Sequence, residues 1–119
     1  MQIDKIIKIS MLFDFYGQLL TEKQREIFSL YHEDNFSLAE ISKEVGMSRQ
    51  GVHDAVKKAE IRLNQYEEKL GLVEKFSKKE TAIERIDKGI DQLIKENKDS
   101  GSFVKQLKEI KKIIDGLND

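Results

Sequence analysis

Along most of the chain, apolar residues recur at three- and four-residue spacings, the period of amphipathic helices. Ile6, Ile7, Phe13, Tyr16, Leu19 and Leu20 follow that rule and predict a first helix over roughly residues 4–20. Ile3, Met11, Leu12 and Phe15 widen its apolar arc, so this helix needs cover on more than one side, from the rest of the domain or from a second chain. Gly17 lies near its end. Thr21-Glu22-Lys23-Gln24 reads as a capping box, with the Thr21 hydroxyl and the Gln24 side chain satisfying each other's backbone amides. It opens a second helix whose buried stripe is Ile27, Phe28, Leu30 and Tyr31, broken at His32-Glu33-Asp34-Asn35. Ser37-Leu38-Ala39-Glu40 is a second such box, and Leu38, Ile41 and Val45 point inward from the short helix that it starts.

Gly46 ends that short helix as a residue free to take positive φ, and Ser48 caps the next. Val52, Ala55, Val56, Ala59, Leu63 and Tyr66 then hold one arc of about 100°. The spacing continues through Leu70, Val73 and Phe76 and resumes at Ile83, Ile86, Ile90 and Leu93, which predicts one or two long helices up to a turn at residues 97–101. Gly71 and Gly89 each cost about 1 kcal/mol relative to alanine inside a helix, so either is a candidate break. Glu74–Lys78, Glu84–Lys88 and Asp91–Lys95 are i,i+4 pairs in the favoured order. Ser102 is read as the cap of a last helix carrying Phe103, Leu107, Ile110, Ile114 and Leu117, folded back as an antiparallel hairpin.

Residues 37–58 carry the chemistry. A helix-turn-helix needs a short helix, a turn only a flexible residue can make, and small or apolar residues where the two helices cross. Ile41 and Val45 precede the turn, Ser42 faces the crossing, Gly46 turns the chain, Met47 plugs the junction, and Val52, Ala55 and Val56 seat the second helix. The competing reading is a helical hairpin that merely packs. The predicted fold class is therefore all-α: a helix-turn-helix head over residues 1–65, including the N-terminal helix, and a long C-terminal helical extension or hairpin over residues 66–119 that serves as a dimerisation element. The stripe Leu63, Tyr66, Leu70 and Val73 is read as core or coiled coil rather than as a ligand site.

Composition narrows the function. Of 119 residues 36% are charged and 39% hydrophobic, which fits helices with wide solvated faces around a modest core. No proline interrupts long helices, and without cysteine there are neither disulfides nor thiolate metal sites, as in a cytoplasmic protein. No apolar run is long enough to cross a bilayer, so no membrane insertion is expected, and the opening residues show no signal peptide. Lys plus Arg is 21 and Asp plus Glu is 22, a net of −1, where a nucleic-acid binder usually shows a basic excess or face. Residues 1–20 carry two charges of each sign, 21–63 seven basic and eight acidic, and 64–119 twelve of each, so no segment is a basic tail.

The segment from Thr21 to Leu63 resembles region 4 of bacterial sigma factors, whose last helix reads a promoter element. More closely, the chain is similar to the YlxM-type helix-turn-helix proteins. That resemblance rests on Leu12-Phe13-Asp14-Phe15-Tyr16, Leu20-Thr21, Asp34, Phe36-Ser37-Leu38, Glu40-Ile41, Ser48-Arg49-Gln50-Gly51-Val52 and Asp54, and covers the first 70 or so residues. Gly51 departs from it slightly, since alanine is as often expected there. The resemblance implies a DNA-binding regulator linked to protein targeting, because the family's gene typically neighbours that of the signal recognition particle GTPase.

On the recognition helix Arg49, Gln50, His53, Asp54, Lys57 and Glu60 share the arc opposite the buried one. Arg49 and Gln50 occupy the first turn, where such helices read bases; arginine pairs with guanine and glutamine with adenine. Lys57 and Lys58 are placed for phosphates, and the helix starts at Ser37 and Ser48 offer backbone amides. The DNA-binding set is thus Ser37, Ser48, Arg49, Gln50, His53, Lys57 and Lys58, weighed against an ordinary solvated face. Asp54 and Glu60 offset Arg49 and Lys57, and one copy offers about four phosphate contacts where firm binders make roughly six to ten. A homodimer, seamed by the long C-terminal helix, would double them. Double-stranded DNA is the expected partner. The alternative is a protein- or RNA-interaction adaptor of the signal recognition particle that does not read DNA sequence. An enzyme is not expected: His32 and His53 are far apart, Ser48, His53 and Asp54 lack an orienting shell, and no glycine-rich phosphate loop occurs, so neither metal nor cofactor is implied.

Overall fold

A computed structural model describes residues 2–117, with side chains from Asp4 onward, so the Ile3 side chain named above lies outside the description. The described residues are all-helical: α1 (Gln2–Tyr16), α2 (Glu22–His32), α3 (Leu38–Val45), α4 (Arg49–Leu70), α5 (Leu72–Glu96) and α6 (Gly101–Leu117). They form two compact units, one running up to Val73 and the other starting at Glu74.

In the first unit, α1 stops earlier than its apolar pattern does. Its regular turn ends at Tyr16, and a 3-10 turn over Gly17–Leu19 delivers Leu20 to the core. Gly17 is buried, and a Cβ there would sit 3.0 Å from the Phe13 ring, so the chain tightens where that ring leaves no room for a side chain. The cover on α1 is one-sided. Ile9, Leu12, Tyr16 and Leu20 are buried, while Ile6, Ile7, Phe15 and Leu19 stay exposed.

Both capping boxes form. The Thr21 hydroxyl accepts from the Gln24 amide at 3.1 Å, and Gln24 Oε1 accepts from the Thr21 amide at 3.2 Å. Two core clusters follow from the apolar stripes. Leu12, Tyr16, Phe28, Ala59, Leu63 and Val73 join α1, α2, α4 and the start of α5, with the Phe13 and Phe28 rings 4.9 Å apart. Ile27, Ile41, Val52 and Val56 join α2, α3 and α4, with Leu38, Val45, Met47 and Ala55 packed around them. Fully burying a large aliphatic or aromatic side chain is worth about 1.5–3 kcal/mol, so these clusters dominate the stability of the unit.

The long C-terminal pattern divides at Gly71, not Gly89. Gly71 has φ 62, a left-handed conformation that closes α4 by donating its amide to the Glu67 carbonyl at 2.8 Å. The next helix then needs partners for its first amides. Tyr16 supplies one: its hydroxyl donates to Glu67 Oε1 at 2.5 Å and accepts from the Leu72 amide at 3.0 Å. Glu67 Oε1 also accepts from the Val73 amide at 3.0 Å. Burial, reinforced by the Glu67 carboxylate, pushes the Tyr16 phenol above its ordinary 10.0. Leu63 and Val73, with Tyr66 packed beside them, are thereby absorbed into the unit's own core.

The second unit is a helical hairpin. Ile90, Leu107 and Ile114 are buried between α5 and α6, with Ile83 and Ile94 against them, and Gly89 sits inside uninterrupted helix. Lys111 Nζ bridges Asp87 Oδ1 at 3.0 Å and Asp91 Oδ1 at 2.9 Å, which holds the lysine firmly protonated. The last helix starts one residue before Ser102. The Ser100 carbonyl accepts from the Val104 amide at 2.9 Å, so Ser102 lies in the first turn rather than capping it.

Candidate nucleic-acid interface

The turn between α3 and α4 is locked by backbone and side chain together. Gly46 takes φ 70, and the Ser42 carbonyl accepts from both the Gly46 amide at 3.0 Å and the Met47 amide at 3.3 Å. That bifurcated closure needs a left-handed residue at Gly46 and an apolar residue after it, and Met47 packs into the Ile27–Ile41–Val52–Val56 cluster. Ser42 Oγ donates to the Met47 carbonyl, so the small residue at the crossing also holds the turn. α4 then begins at Arg49, with the Ser48 hydroxyl accepting from the Gly51 amide at 3.0 Å. Gly51 acquires a reason here: a Cβ would lie 3.1 Å from Ser48 Oγ and 3.4 Å from Met47 Cε, so alanine would crowd the cap.

All seven residues named from the sequence are exposed: Ser37, Ser48, Arg49, Gln50, His53, Lys57 and Lys58. The single straight helix α4 brings Arg49, Gln50, His53 and Lys57 onto one side, while Lys58 lies further round it. Ser37 stands apart, at the start of α3.

The side chains on that face are already engaged with acids. Gln50 Nε2 donates to Asp54 Oδ1 at 3.0 Å, and His53 Nδ1 lies 3.6 Å from the same oxygen. Lys57 Nζ lies 4.0 Å from Glu60 Oε2. Among the described residues neither Arg49 nor Lys58 forms an ion pair within 4.0 Å. Such exposed pairs contribute about 0–1 kcal/mol each and exchange readily for phosphate or base contacts.

The start of α3 is closed by its own carboxylate. The Ser37 hydroxyl accepts from the Glu40 amide at 3.1 Å, and Glu40 Oε1 accepts from the Ser37 amide at 3.0 Å. The Ser37 amide first, and the Ser37 hydroxyl beside the carboxylate second, lower the Glu40 carboxyl below its ordinary 4.5. A phosphate arriving at Ser37 therefore meets a negative charge at the amides it would use.

One group escaped sequence reasoning. His32, the last residue of α2, stacks on Phe28 with ring centroids 4.2 Å apart, and its Nε2 lies 3.5 Å from Glu60 Oε1. No hydrogen bond forms at that separation, and Nε2 is buried without one. Glu60 thus faces His32 through one oxygen and Lys57 through the other, tying α2 to the exposed side of α4. No spacing rule links residues 32 and 60; only the crossing of the two helices joins them.

Among the described residues, no cluster of three or more His, Asp or Glu side chains could hold a metal ion, and no helix is long and apolar enough to cross a membrane. The profile of the family described as "Putative helix-turn-helix protein, YlxM / p13 like" matches residues 3–110. The UPF0122 protein of Thermoanaerobacter sp. (strain X514) is 44% identical over 115 residues, 97% of each chain. That of Halalkalibacterium halodurans is 47% identical over 90 residues, 76% of this chain and 83% of its own. That of Bacillus cereus (strain AH187) is 41% identical over 107 residues, 90% of this chain and 94% of its own. With the helix-turn-helix in place and relatives matched over nearly their whole length, the chain belongs to the YlxM / p13-like helix-turn-helix family, UPF0122.

Proposed function

We propose that this protein is a DNA-binding regulator that reads duplex DNA with α4 and binds as two copies. The observation that carries the reading is the exposed first turn of α4, with Arg49 and Gln50 leading a helix whose opposite side is fixed in the core. Arg49 is the guanine reader, Gln50 and His53 reach neighbouring bases after leaving Asp54, and Lys57 and Lys58 take phosphates. Ser48 and Ser37 mark the helix starts that approach the backbone. Ser48 has no acid at its third helical position, since Gly51 stands there, so its amides are the more open of the two. Arg49→Ala is expected to relax base preference at one position by about 1–3 kcal/mol, whereas Lys57→Ala weakens binding to all sequences and lowers the salt slope by about 1. A salt-titrated selection from random duplex DNA tests this; recovery of no preferred sequence at low salt would sink it.

A second reading is favoured by the carboxylates on the same face. Gln50, His53 and Lys57 each sit beside Asp54 or Glu60, leaving a nearly neutral surface. In that reading the scaffold is an adaptor of the signal recognition particle, contacting its protein or RNA without reading DNA. The same selection, run beside the particle's RNA, separates the two.

A further inference from the structure

The α5–α6 hairpin is two-sided, with one broad side polar and the other apolar. In α5, Ile86 and Leu93 each follow a core-facing residue, Ile83 and Ile90, by three positions. In α6, Phe103, Ile110 and Ile113 each precede an inward position, Val104, Lys111 or Ile114, by one, and Leu117 follows Ile114 by three. Both offsets rotate the side chain in the same sense about its helix, since a residue advances by about 100°. The helices run antiparallel across the turn at residues 97–100, so equal rotations place both stripes on the same broad side. The opposite side carries Glu84, Asp91, Lys108 and Lys112.

The apolar side is well exposed: Ile86 52%, Leu93 42%, Phe103 42%, Ile110 47%, Ile113 67% and Leu117 67%. Large side chains offer roughly 150–200 Å² each when free, so these six present on the order of 500 Å² per copy. That is as large as the largest apolar patch of an ordinary monomer, which is about 300–600 Å² and usually functional. Two such faces apposed bury on the order of 1,000 Å², the lower bound for a biological interface, and flanking side-chain stems add to it. A face of this kind is satisfied by its own duplicate: isoleucine and leucine against isoleucine and leucine need no charge complement, and a two-fold axis repeats every contact.

We propose that the face formed by Ile86, Leu93, Phe103, Ile110, Ile113 and Leu117 joins two copies of this chain through a four-helix seam. It rests on the two-copy reading above and sharpens it. Of the stripe Leu63, Tyr66, Leu70 and Val73, all but the exposed Leu70 lie in or against the core of their own unit, so the seam falls to the hairpin.

The experiment uses the full chain without DNA. Sedimentation equilibrium is expected to give twice the chain mass of 13.8 kDa for the unaltered protein, and the single-chain mass for Ile113→Lys and for Ile110→Lys, with helical circular dichroism retained. Because the chain has no cysteine, a single introduced thiol reports proximity cleanly. Ile113→Cys or Ile110→Cys is expected to oxidise to a covalent dimer, and Ile61→Cys, on an exposed position of α4, is not. A monomeric wild type at all concentrations, even one whose hairpin is covered by some other protein, overturns both the seam and the two-copy reading. A wild-type dimer that survives Ile113→Lys and cross-links no better through residue 113 than through residue 61 overturns the seam alone. Duplex-DNA selection on the same preparation reports the DNA reading separately.

Discussion

Among the described residues up to Val73, twelve side chains are buried in two adjoining clusters drawn from five helices; among those from Glu74 onward the hairpin buries three. Both regions obey the same helical periodicity, and both carry enough leucine and isoleucine to fold. The difference is the number of directions from which each apolar stripe is met. α4 is contacted by α1, α2 and α3, so Val52, Val56, Ala59 and Leu63 of its inward arc are buried. Within the hairpin α5 and α6 bury a single line of side chains against one another, and part of each apolar arc stays exposed. Amphipathicity therefore sets which residues are available for burial, and the number of packing partners sets how many are buried.

The largest effect expected from this contrast is in the core. Leu63→Ala, at a position with no exposure, should cost about 2–5 kcal/mol in denaturant unfolding. Leu107→Ala in the hairpin should cost less in the monomeric Ile113→Lys background, because a shallow site collapses more easily. Equal costs would mean that the two regions are packed alike.

The junction comes next. Tyr16→Phe removes the hydroxyl that serves both Glu67 and the Leu72 amide, and should destabilise the protein by about 1–3 kcal/mol. It also has a pH signature. The folded state raises the Tyr16 phenol above 10.0, so the native protein holds a proton that the unfolded chain releases. The stabilisation is fully present below pH 10.0 and is lost as pH climbs through the raised value. Alkaline titration of stability should therefore fall more steeply in the wild type than in Tyr16→Phe; identical slopes would remove Tyr16 as the cause.

Smaller still are the glycines. Gly46→Ala places a side chain at φ 70 and should cost about 1–2 kcal/mol, while Gly89→Ala, in open helix, should stabilise by up to about 1 kcal/mol. Thermal melts of the two variants check the signs. A stabilising Gly46→Ala would mean that the turn between α3 and α4 does not need its left-handed residue.

The residues around the turn were legible because their cues are local. Thr21 with Gln24, Ser37 with Glu40, Gly46 and Ser48 each act within a few positions, and the structure realises all of them. The inward stripe of α4 was legible for the same reason, since helical spacing alone puts Val52, Val56, Ala59 and Leu63 on one line. One local cue misled, since Ser102 lies inside the first turn of α6; the other failures are of a different kind. Gly71 and Gly89 look alike in a helical pattern, and what distinguishes them is Tyr16, more than fifty residues upstream, waiting with Glu67 for the amides of Leu72 and Val73. Residues on the exposed side of α4 were readable as a set, but their engagement was only half visible: Gln50 with Asp54 is an i,i+4 pair, whereas His32 reaches Glu60 across two helices.

By itself, then, the amino-acid order determined an all-helical chain, the caps at Thr21, Ser37 and Ser48, and a helix-turn-helix centred on Gly46, because those depend on backbone conformation and on side chains one or two turns apart. Tertiary structure decided where the long helix breaks, that Leu63, Tyr66 and Val73 of its stripe join the core while Leu70 stays exposed, and which apolar side of the hairpin stays open. Each of those outcomes depends on what meets a helix face from elsewhere in the chain, and periodicity carries no record of the partner.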